Sequence, residues 1–251
     1  MYSLLFKTSV DAIRTLARDK KYLGAEIGLM GVLQTWAKNL VYHPHIHFLI
    51  PGGGILIDGK RWIWAKPDFF VHVKPLSILI RAKFKQALKD AGLFQDVPAS
   101  VWKQKWVCHI EPVGNGENVL KYLAPYIFRI AISDKNILNF DGENVTFRYK
   151  DAESKTISTC CLNSFEFMRR FLQHVLPRGF VKVRYFGFLA TKKRADLDFV
   201  KELIGKRYVA KKIETIKNEK IRKCPDCGQN LICVDKLPMR RGPPLWKTGN
   251  S

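Results

Sequence analysis

The chain has 251 residues, of which 47% are hydrophobic and 26% are charged, a composition typical of a folded globular protein. Its 43 lysines and arginines exceed its 22 aspartates and glutamates, which gives a formal net charge of +21. This excess favours a polyanionic partner such as a nucleic acid. We find no apolar run of about 18 or more residues and no signal-peptide pattern. We therefore expect a soluble, intracellular protein that does not insert into membranes.

The first half of the chain has one strong helical pattern at its start and mostly strand-like patterns after it. Apolar spacing near 3.6 residues indicates helix, whereas β-branched and aromatic residues favour strand. The predicted elements of this half, in order, are a helix over 3–20, a strand within 31–40, a strand over 45–50, a turn at PGGG, a hairpin around Asp58–Gly59, a helix over 78–93 and a strand over 105–113.

The second half alternates helical patterns with a predicted hairpin. Its elements, in order, are a helix over 117–131, an antiparallel pair formed by NVTFRYKD and KTISTCCL, a helix in SFEFMRRFLQHVL with Ser164 as N-cap, and the strand-like VKVRYFGFLAT. Because βαβ alternation is missing, we predict an α+β fold with a largely antiparallel sheet flanked by helices. We place a catalytic domain at residues 1–190 and a basic helical tail at 191–251.

Three histidines alternate in YHPHIHFLIPGGG, at positions 43, 45 and 47. Alternate side chains of a strand point to the same face, and two imidazoles on one face can bind one divalent ion. Pro44 cannot donate a ladder hydrogen bond, so we expect the strand to begin at His45 and His43 to lie in the entry turn. His45 and His47 are then the candidate metal-ligating pair. By itself the His-x-His pattern is more often structural or surface-exposed.

The segment KYLAPYIFR places Tyr122 and Tyr126 four positions apart, on one face of a predicted helix. Two core aromatics are the ordinary interpretation of such a pair. A tyrosine oxygen can also act as a nucleophile, although a phenol with a pKa near 10 needs help from an activated electrophile. A metal that polarises a phosphodiester would give that help. The two motifs together therefore suggest metal-assisted phosphodiester cleavage by tyrosine.

The chain resembles the rolling-circle insertion-sequence transposases of the HUH two-tyrosine class, named for a His-hydrophobe-His motif. The resemblance extends over roughly residues 3–205 and is not limited to the two motifs. The stretches that carry it are LGAEIGLMGVLQTWAKNL, HPHIHFLIPGGG, GENVLKYLAPYIFRIAIS, VTFRYKD and FMRRFLQHVLPRGFVKVRYFGFLA.

The resemblance implies an HUH endonuclease-like sheet with His45 and His47 as metal ligands on its central strand. It also implies that Tyr122 and Tyr126 are the catalytic nucleophiles, on a helix that faces this strand. The implied cofactor is Mg²⁺ or Mn²⁺, and the implied partner is DNA, mainly the single-stranded ends of the mobile element. The implied reaction leaves a 5′-phosphotyrosine and a free 3′-hydroxyl. Such a protein would work in the prokaryotic cytoplasm, at the nucleoid when bound to DNA.

HUH sites usually complete the coordination of the ion with a third polar side chain. We favour Gln34, because it lies on the strand that we expect to pair with the histidine strand. His109, Glu111 and Glu117 are the alternatives. Without a metal site, Gln34 would be an ordinary exposed polar residue of a strand.

Two features depart from the family pattern. Pro125 lies between the tyrosines, where a helix interior would lose the hydrogen bond to the Lys121 carbonyl and tend to kink. The sequence also begins in the helix that follows the first strand of the family's sheet, without the usual cysteine-rich zinc module. We therefore expect an N-terminally incomplete copy.

The motif CPDCG, at 224–228, has the cysteine spacing of half a zinc knuckle. Cys224 and Cys227 are therefore candidate Zn²⁺ ligands, and some members of the family carry a similar motif. A complete site needs two further ligands, and only Cys233 is near. The six cysteines are too few and too unevenly spaced for a disulfide framework, so we expect free thiols.

Three functional hypotheses remain at this level. The first is a DNA-nicking and strand-transferring transposase. The second is a catalytically inactive remnant that keeps the basic DNA-binding surface. The third is a related replication-initiator nuclease or an RNA-binding protein, which the net charge and the shared chemistry also fit.

Overall fold

The computed structural model describes residues 1–59, 61–114, 119, 127, 130–151 and 154–204. The helices of this part are α1 (Tyr2–Arg18), α2 (Val73–Asp90), α3 (Ala99–Lys103), α4 (Ser164–Leu172) and α5 (Arg194–Leu203). Its strands are β1 (Ala25–Glu26), β2 (Leu29–Trp36), β3 (Tyr42–Leu49), β4 (Gly53–Leu56), β5 (Trp62–Trp64), β6 (Ile137–Phe140), β7 (Asn144–Lys150), β8 (Ile157–Asn163) and β9 (Val183–Phe186).

The described strands form three small sheets in which every pair is antiparallel. Their orders are β1-β4-β5, β3-β2-β9 and β6-β7-β8. Helices flank these sheets, so the predicted α+β fold of the HUH endonuclease-like kind is confirmed. None of the described helices is long and apolar enough to cross a membrane.

β2 is the central strand of its sheet and is buried along its whole length. On one face, Gly31 leaves room for the rings of Phe6 from α1 and Phe48 from β3, which meet edge to face at 6.5 Å. A Cβ atom at Gly31 would lie 2.8 Å from the Phe48 ring and 2.9 Å from the Phe6 ring. α1 therefore covers this side of the sheet. Met30 and Val32, which alternate with Gly31 along β2, lie on the opposite side.

The main hydrophobic core lies between α1, the N-terminal part of α2, β1 and the start of β2. Burial of its aliphatic side chains supplies the largest favourable term for folding of this region. The buried members of this core are Val10, Ala12, Ile13, Ala17, Leu23, Ala25, Ile27, Leu29, Val71 and Leu76.

The predicted hairpin of the second half is confirmed as β7 and β8, with Asn144 opposite Asn163 and Lys150 opposite Ile157. The N-cap prediction at the following helix is wrong by one residue. Asn163 is the cap of α4, because its side-chain oxygen accepts a hydrogen bond from the Phe165 amide at 3.1 Å.

Two further element predictions are wrong. No described strand occupies residues 105–113, which instead lie against α2: Ser77 donates its hydroxyl to the Trp106 carbonyl, and Cys108 packs on the main core. The PGGG turn is shorter than expected, because Gly53 and Gly54 already pair in β4 with Trp64 and Ile63.

The helix expected over 117–131 lies mostly outside the described residues. Within it, Val119 and Ile127 are described as helical and Ile130 as non-helical. The domain boundary expected at residue 190 stays a prediction. The described cysteines, Cys108, Cys160 and Cys161, are free thiols.

Candidate active site

β3 begins at Tyr42, three residues earlier than expected, and Pro44 lies inside it. Gln34 is opposite His45 and Trp36 is opposite Tyr42, so β3 contains one residue more than β2 over this interval. This irregularity is a β-bulge, and a bulge tolerates a proline because the ladder is already interrupted there. The expectation that His43 lies in an entry turn is therefore wrong.

His45 and His47 lie on one face of the β2-β3 pair, with Gln34 and Val32 directly opposite them. Directly opposed residues of an antiparallel pair point to the same side of the sheet. We call this side, defined by Gln34, Val32, His45 and His47, the histidine face. The ring centroids of His45 and His47 are 4.8 Å apart. It is the side of β2 opposite Gly31 and α1.

Burial keeps both imidazoles neutral over a wider pH range than usual. It lowers the pKa of His45, although the hydrogen bond to the His43 carbonyl acts in the opposite direction. Burial, and secondarily the neighbouring His45, lower the pKa of His47 to about 4. A neutral imidazole is the form that binds a metal ion.

The backbone of the bulge sets the tautomer of His45. Its Nδ1 atom lies 2.7 Å from the His43 carbonyl oxygen. Because a carbonyl can only accept, Nδ1 carries the proton and Nε2 keeps its lone pair. Metal-binding histidines commonly make such a hydrogen bond through the nitrogen that does not bind the ion.

Gln34 is buried, with 7% of its surface exposed. Its side-chain amide nitrogen donates to the Trp36 carbonyl at 3.3 Å. Its oxygen, Oε1, is also shielded from solvent and accepts no hydrogen bond from any described residue. A buried oxygen in this condition, beside two neutral imidazoles, fits a site for a divalent cation.

The alternative third ligands lie elsewhere or cannot be described. His109 and Glu111 are exposed and 3.3 Å apart, where they pair with each other. Within the described ranges, no three His, Cys, Asp or Glu side chains are grouped to hold one ion. Glu117 lies outside the described residues, as do Tyr122, Tyr126, Cys224 and Cys227.

The residue that follows Tyr126 does lie on the histidine face. Ile127 packs against a small cluster formed by Met30 and Val32 of β2, Leu49 of β3 and Val183 of β9. Met30 is opposite Leu49, and Val32 is opposite both His47 and Val183, so the cluster belongs to this side of the sheet. The chain next to the predicted nucleophiles is therefore in contact with the sheet that carries the histidines.

Lys182 is a residue of this region that the motif analysis did not single out. Its ammonium group lies 5.3 Å from the centre of the Trp36 ring and donates to the Ile127 carbonyl at 3.4 Å. Burial lowers the pKa of this amine. The only signal in the sequence was a lysine within a strand-like stretch, a signal too common to identify a site.

The antiparallel α+β core, with His45 and His47 on one strand, is consistent with an HUH-like fold. The chain belongs to the Y2_Tnp family, described as "Putative transposase", whose model matches residues 28–196. This range contains both histidines, Gln34, both tyrosines and Lys182. The sequence-based assignment to a transposase family is confirmed.

Two curated relatives are transposases by name. A Sinorhizobium fredii protein named "Putative transposase y4qJ" is 35% identical over 284 aligned positions, which cover 99% of this chain and 71% of the relative. The "Transposase for insertion sequence element IS801" of Pseudomonas savastanoi pv. phaseolicola is 26% identical over 213 positions, 73% of this chain and 49% of that protein. No solved structure matches the chain at a significant level.

Proposed function

We propose that this transposase cuts single-stranded DNA at the ends of an insertion sequence, with a tyrosine as nucleophile and a divalent metal ion as cofactor. Membership of a transposase family supports action on DNA, and the insertion-sequence relative supports the type of element. The net charge of +21 suits a protein that holds a phosphate backbone in the cytoplasm.

The observation that carries the proposal is the grouping of Gln34, His45 and His47 on the histidine face. These residues supply two neutral imidazoles and a buried amide oxygen that no described residue satisfies. They are the residues that would hold Mg²⁺ or Mn²⁺. When bound, the ion withdraws electron density from a phosphate oxygen and makes the phosphorus more open to attack.

In the proposed reaction, the phenolic oxygen of Tyr122 or Tyr126 attacks the phosphorus of the scissile phosphodiester. A bond forms between the tyrosine oxygen and phosphorus, and the bond from phosphorus to the 3′ oxygen breaks. The phenol gives up its proton, and the leaving 3′ oxygen takes one up. The products are a 5′-phosphotyrosine and a strand with a free 3′-hydroxyl, which can then be extended or transferred.

The proposal is tested with labelled single-stranded oligonucleotides that span the two ends of the element encoding the chain. With Mn²⁺, the protein should form a covalent adduct that survives denaturing electrophoresis, and EDTA should prevent its formation. Tyr122→Phe and Tyr126→Phe should each reduce the adduct, and the double variant should lose it, because a phenyl ring has no oxygen to attack with.

An adduct that persists in the double variant would disprove the assignment of the tyrosines. Tight DNA binding by the unsubstituted chain without any adduct would instead identify a catalytically inactive DNA-binding remnant. An RNA competitor of the same sequence tests the third hypothesis, since an RNA-binding protein would be displaced from the DNA.

A further inference from the structure

Lys182 brings a cation to the histidine face that the proposed chemistry has not yet used. The residue is half-buried and immediately precedes β9. Its backbone carbonyl accepts a hydrogen bond from the Leu33 amide at 3.1 Å, which ties it to the central strand β2. Its side chain then extends over the ring of Trp36, at the end of the same strand.

No described carboxylate forms an ion pair with Lys182. Its described contacts are the π face of Trp36 and the carbonyl oxygen of Ile127. A cation over an indole ring is attracted to it electrostatically, and this attraction helps to hold the ammonium group in place. The hydrogen bond to Ile127 is therefore directed from a fixed point on the sheet.

Ile127 immediately follows Tyr126 in the sequence. The residue is described as helical and is half-buried. Its carbonyl oxygen accepts the hydrogen bond of the Lys182 ammonium group, and a charged donor makes a stronger hydrogen bond than a neutral one.

We propose that Lys182 is a positioning residue for the nucleophile: its ammonium group holds the carbonyl of Ile127, the residue next to Tyr126 in the sequence, on the histidine face. This inference rests on the proposed function. The hydrophobic contact of Ile127 with Met30 and Val32 brings this point of the chain to the sheet. An apolar contact has little directional preference, so the hydrogen bond is what sets the position along the face.

The test compares Lys182→Met and Lys182→Arg with Lys150→Met, a matched control that removes one exposed lysine from the end of β7. Methionine keeps an unbranched stem over Trp36 but cannot donate. We expect Lys182→Met to slow single-turnover adduct formation at saturating oligonucleotide by about 10- to 100-fold, the size of effect that misplacing a reacting group produces. The Kd for the oligonucleotide should stay within about twofold of the unsubstituted value, since the lost interaction is internal to the protein.

Arginine can donate the same hydrogen bond, so Lys182→Arg should recover most of the rate. Hydrogen exchange without DNA gives a second readout. Peptides covering residues 117–131 should exchange faster in Lys182→Met than in the unsubstituted chain or in Lys150→Met, while peptides from β2 and β3 should be unchanged. A general loss of folding would instead raise exchange in all of them.

The inference is wrong if Lys182→Met keeps the full rate, if its loss lies entirely in DNA affinity, or if arginine gives no recovery. Failure of the proposed function gives a different result, because the unsubstituted chain would then form no adduct. In that case the exchange of residues 117–131 still decides whether Lys182 holds the segment.

Discussion

At the scale of single residues, Gln34 is the most informative member of the histidine face. A buried oxygen without a hydrogen-bond partner costs about 1–3 kcal/mol of stability. A bound water, an ion or a catalytic role accounts for such oxygens in folded proteins, and a metal ion would satisfy this one directly. The neighbouring imidazoles, which burial keeps neutral, are compatible with the same ligand.

Replacing Gln34 by leucine should therefore separate metal binding from folding. Leucine has a similar volume and leaves no unsatisfied oxygen, so we expect the free energy of unfolding in EDTA to fall by no more than about 1 kcal/mol. The stabilisation of the chain by added Mn²⁺, measured as the shift in Tm with metal concentration, should become much smaller. Gln95→Leu, at an exposed position, is the control. An unchanged Mn²⁺ response in Gln34→Leu would remove Gln34 from the ligand set.

His43 contributes through its backbone more clearly than through its imidazole. Its carbonyl oxygen fixes the proton of His45 on Nδ1, and its own side chain is exposed. The contact lies at the bulge, where the register of β2 and β3 shifts next to His45. A proline in the motif thus has a structural reason, since a bulge is a place where the missing amide is tolerated.

At the scale of secondary-structure elements, the two sides of β2 have different tasks. One side packs on α1 through Gly31 and the rings of Phe6 and Phe48. The other side carries Gln34 and belongs to the histidine face. Alternation of side chains along the strand makes this division possible. The position of the candidate ligands thus depends on how well α1 packs on the far side.

Gly31→Ala tests this dependence. The added methyl group would meet the Phe48 ring at 2.8 Å and the Phe6 ring at 2.9 Å, so the rings or the backbone must move. Overpacking of this kind usually costs about 1–3 kcal/mol, which urea unfolding can measure. Gly52→Ala, where the new methyl group would meet nothing within 4 Å, should change stability by less than about 1 kcal/mol. Equal stabilities of the two variants would contradict this account of the packing.

His174 follows α4 and contacts β2 and the loop between β2 and β3. Its Nε2 atom donates to the Leu40 carbonyl at 3.1 Å, and its Nδ1 atom accepts from the Thr35 hydroxyl at 3.3 Å. Leu40 has a positive φ of 62°, an uncommon conformation for a residue with a side chain. Acceptance by Nδ1 needs the neutral imidazole, and burial lowers the pKa of His174, although the hydrogen bond to Leu40 acts in the opposite direction.

At the scale of the whole molecule, three histidines in two regions all lower the stability of the folded chain in acid. The folded state lowers the pKa of His45, His47 and His174 below the usual value of 6.5. The unfolded chain therefore binds more protons than the folded one once the pH falls below about 6.5. Stability is greatest above that pH and decreases as the pH falls toward the lowered pKa values, of which that of His47 is about 4.

We expect the free energy of unfolding, measured by urea titration without added metal, to decrease between pH 7 and pH 4. Its slope from these groups is at most about 1.4 kcal/mol per pH unit for each histidine. His174→Gln should make the curve shallower, because one titrating group is removed. Gln95→Asn, an exposed change that adds or removes no titratable group, is the control and should leave the shape of the curve unchanged. A His174→Gln curve parallel to that of the unsubstituted chain would contradict the contribution of this histidine.

The sequence predicted the elements whose pattern is local. α1, the β4-β5 and β7-β8 hairpins and the histidine strand follow from hydrophobic period and turn residues. The strand expected over 105–113 was wrong because alternation of apolar residues does not reveal whether a pairing partner exists. That segment is held by side-chain contacts with α2 and with the core.

The sequence by itself determined that the chain is strongly basic, that it carries the His-x-His and two-tyrosine motifs, and that it belongs to the α+β class and a transposase family. These features depend on residue type and spacing, which a chain carries without folding. Only the tertiary structure decided that Gln34 is directly opposite His45, that the His43 carbonyl at the bulge orients His45, and that Lys182 reaches Ile127. Strand register and contacts between distant segments depend on the packing of the whole core, and no local pattern specifies them.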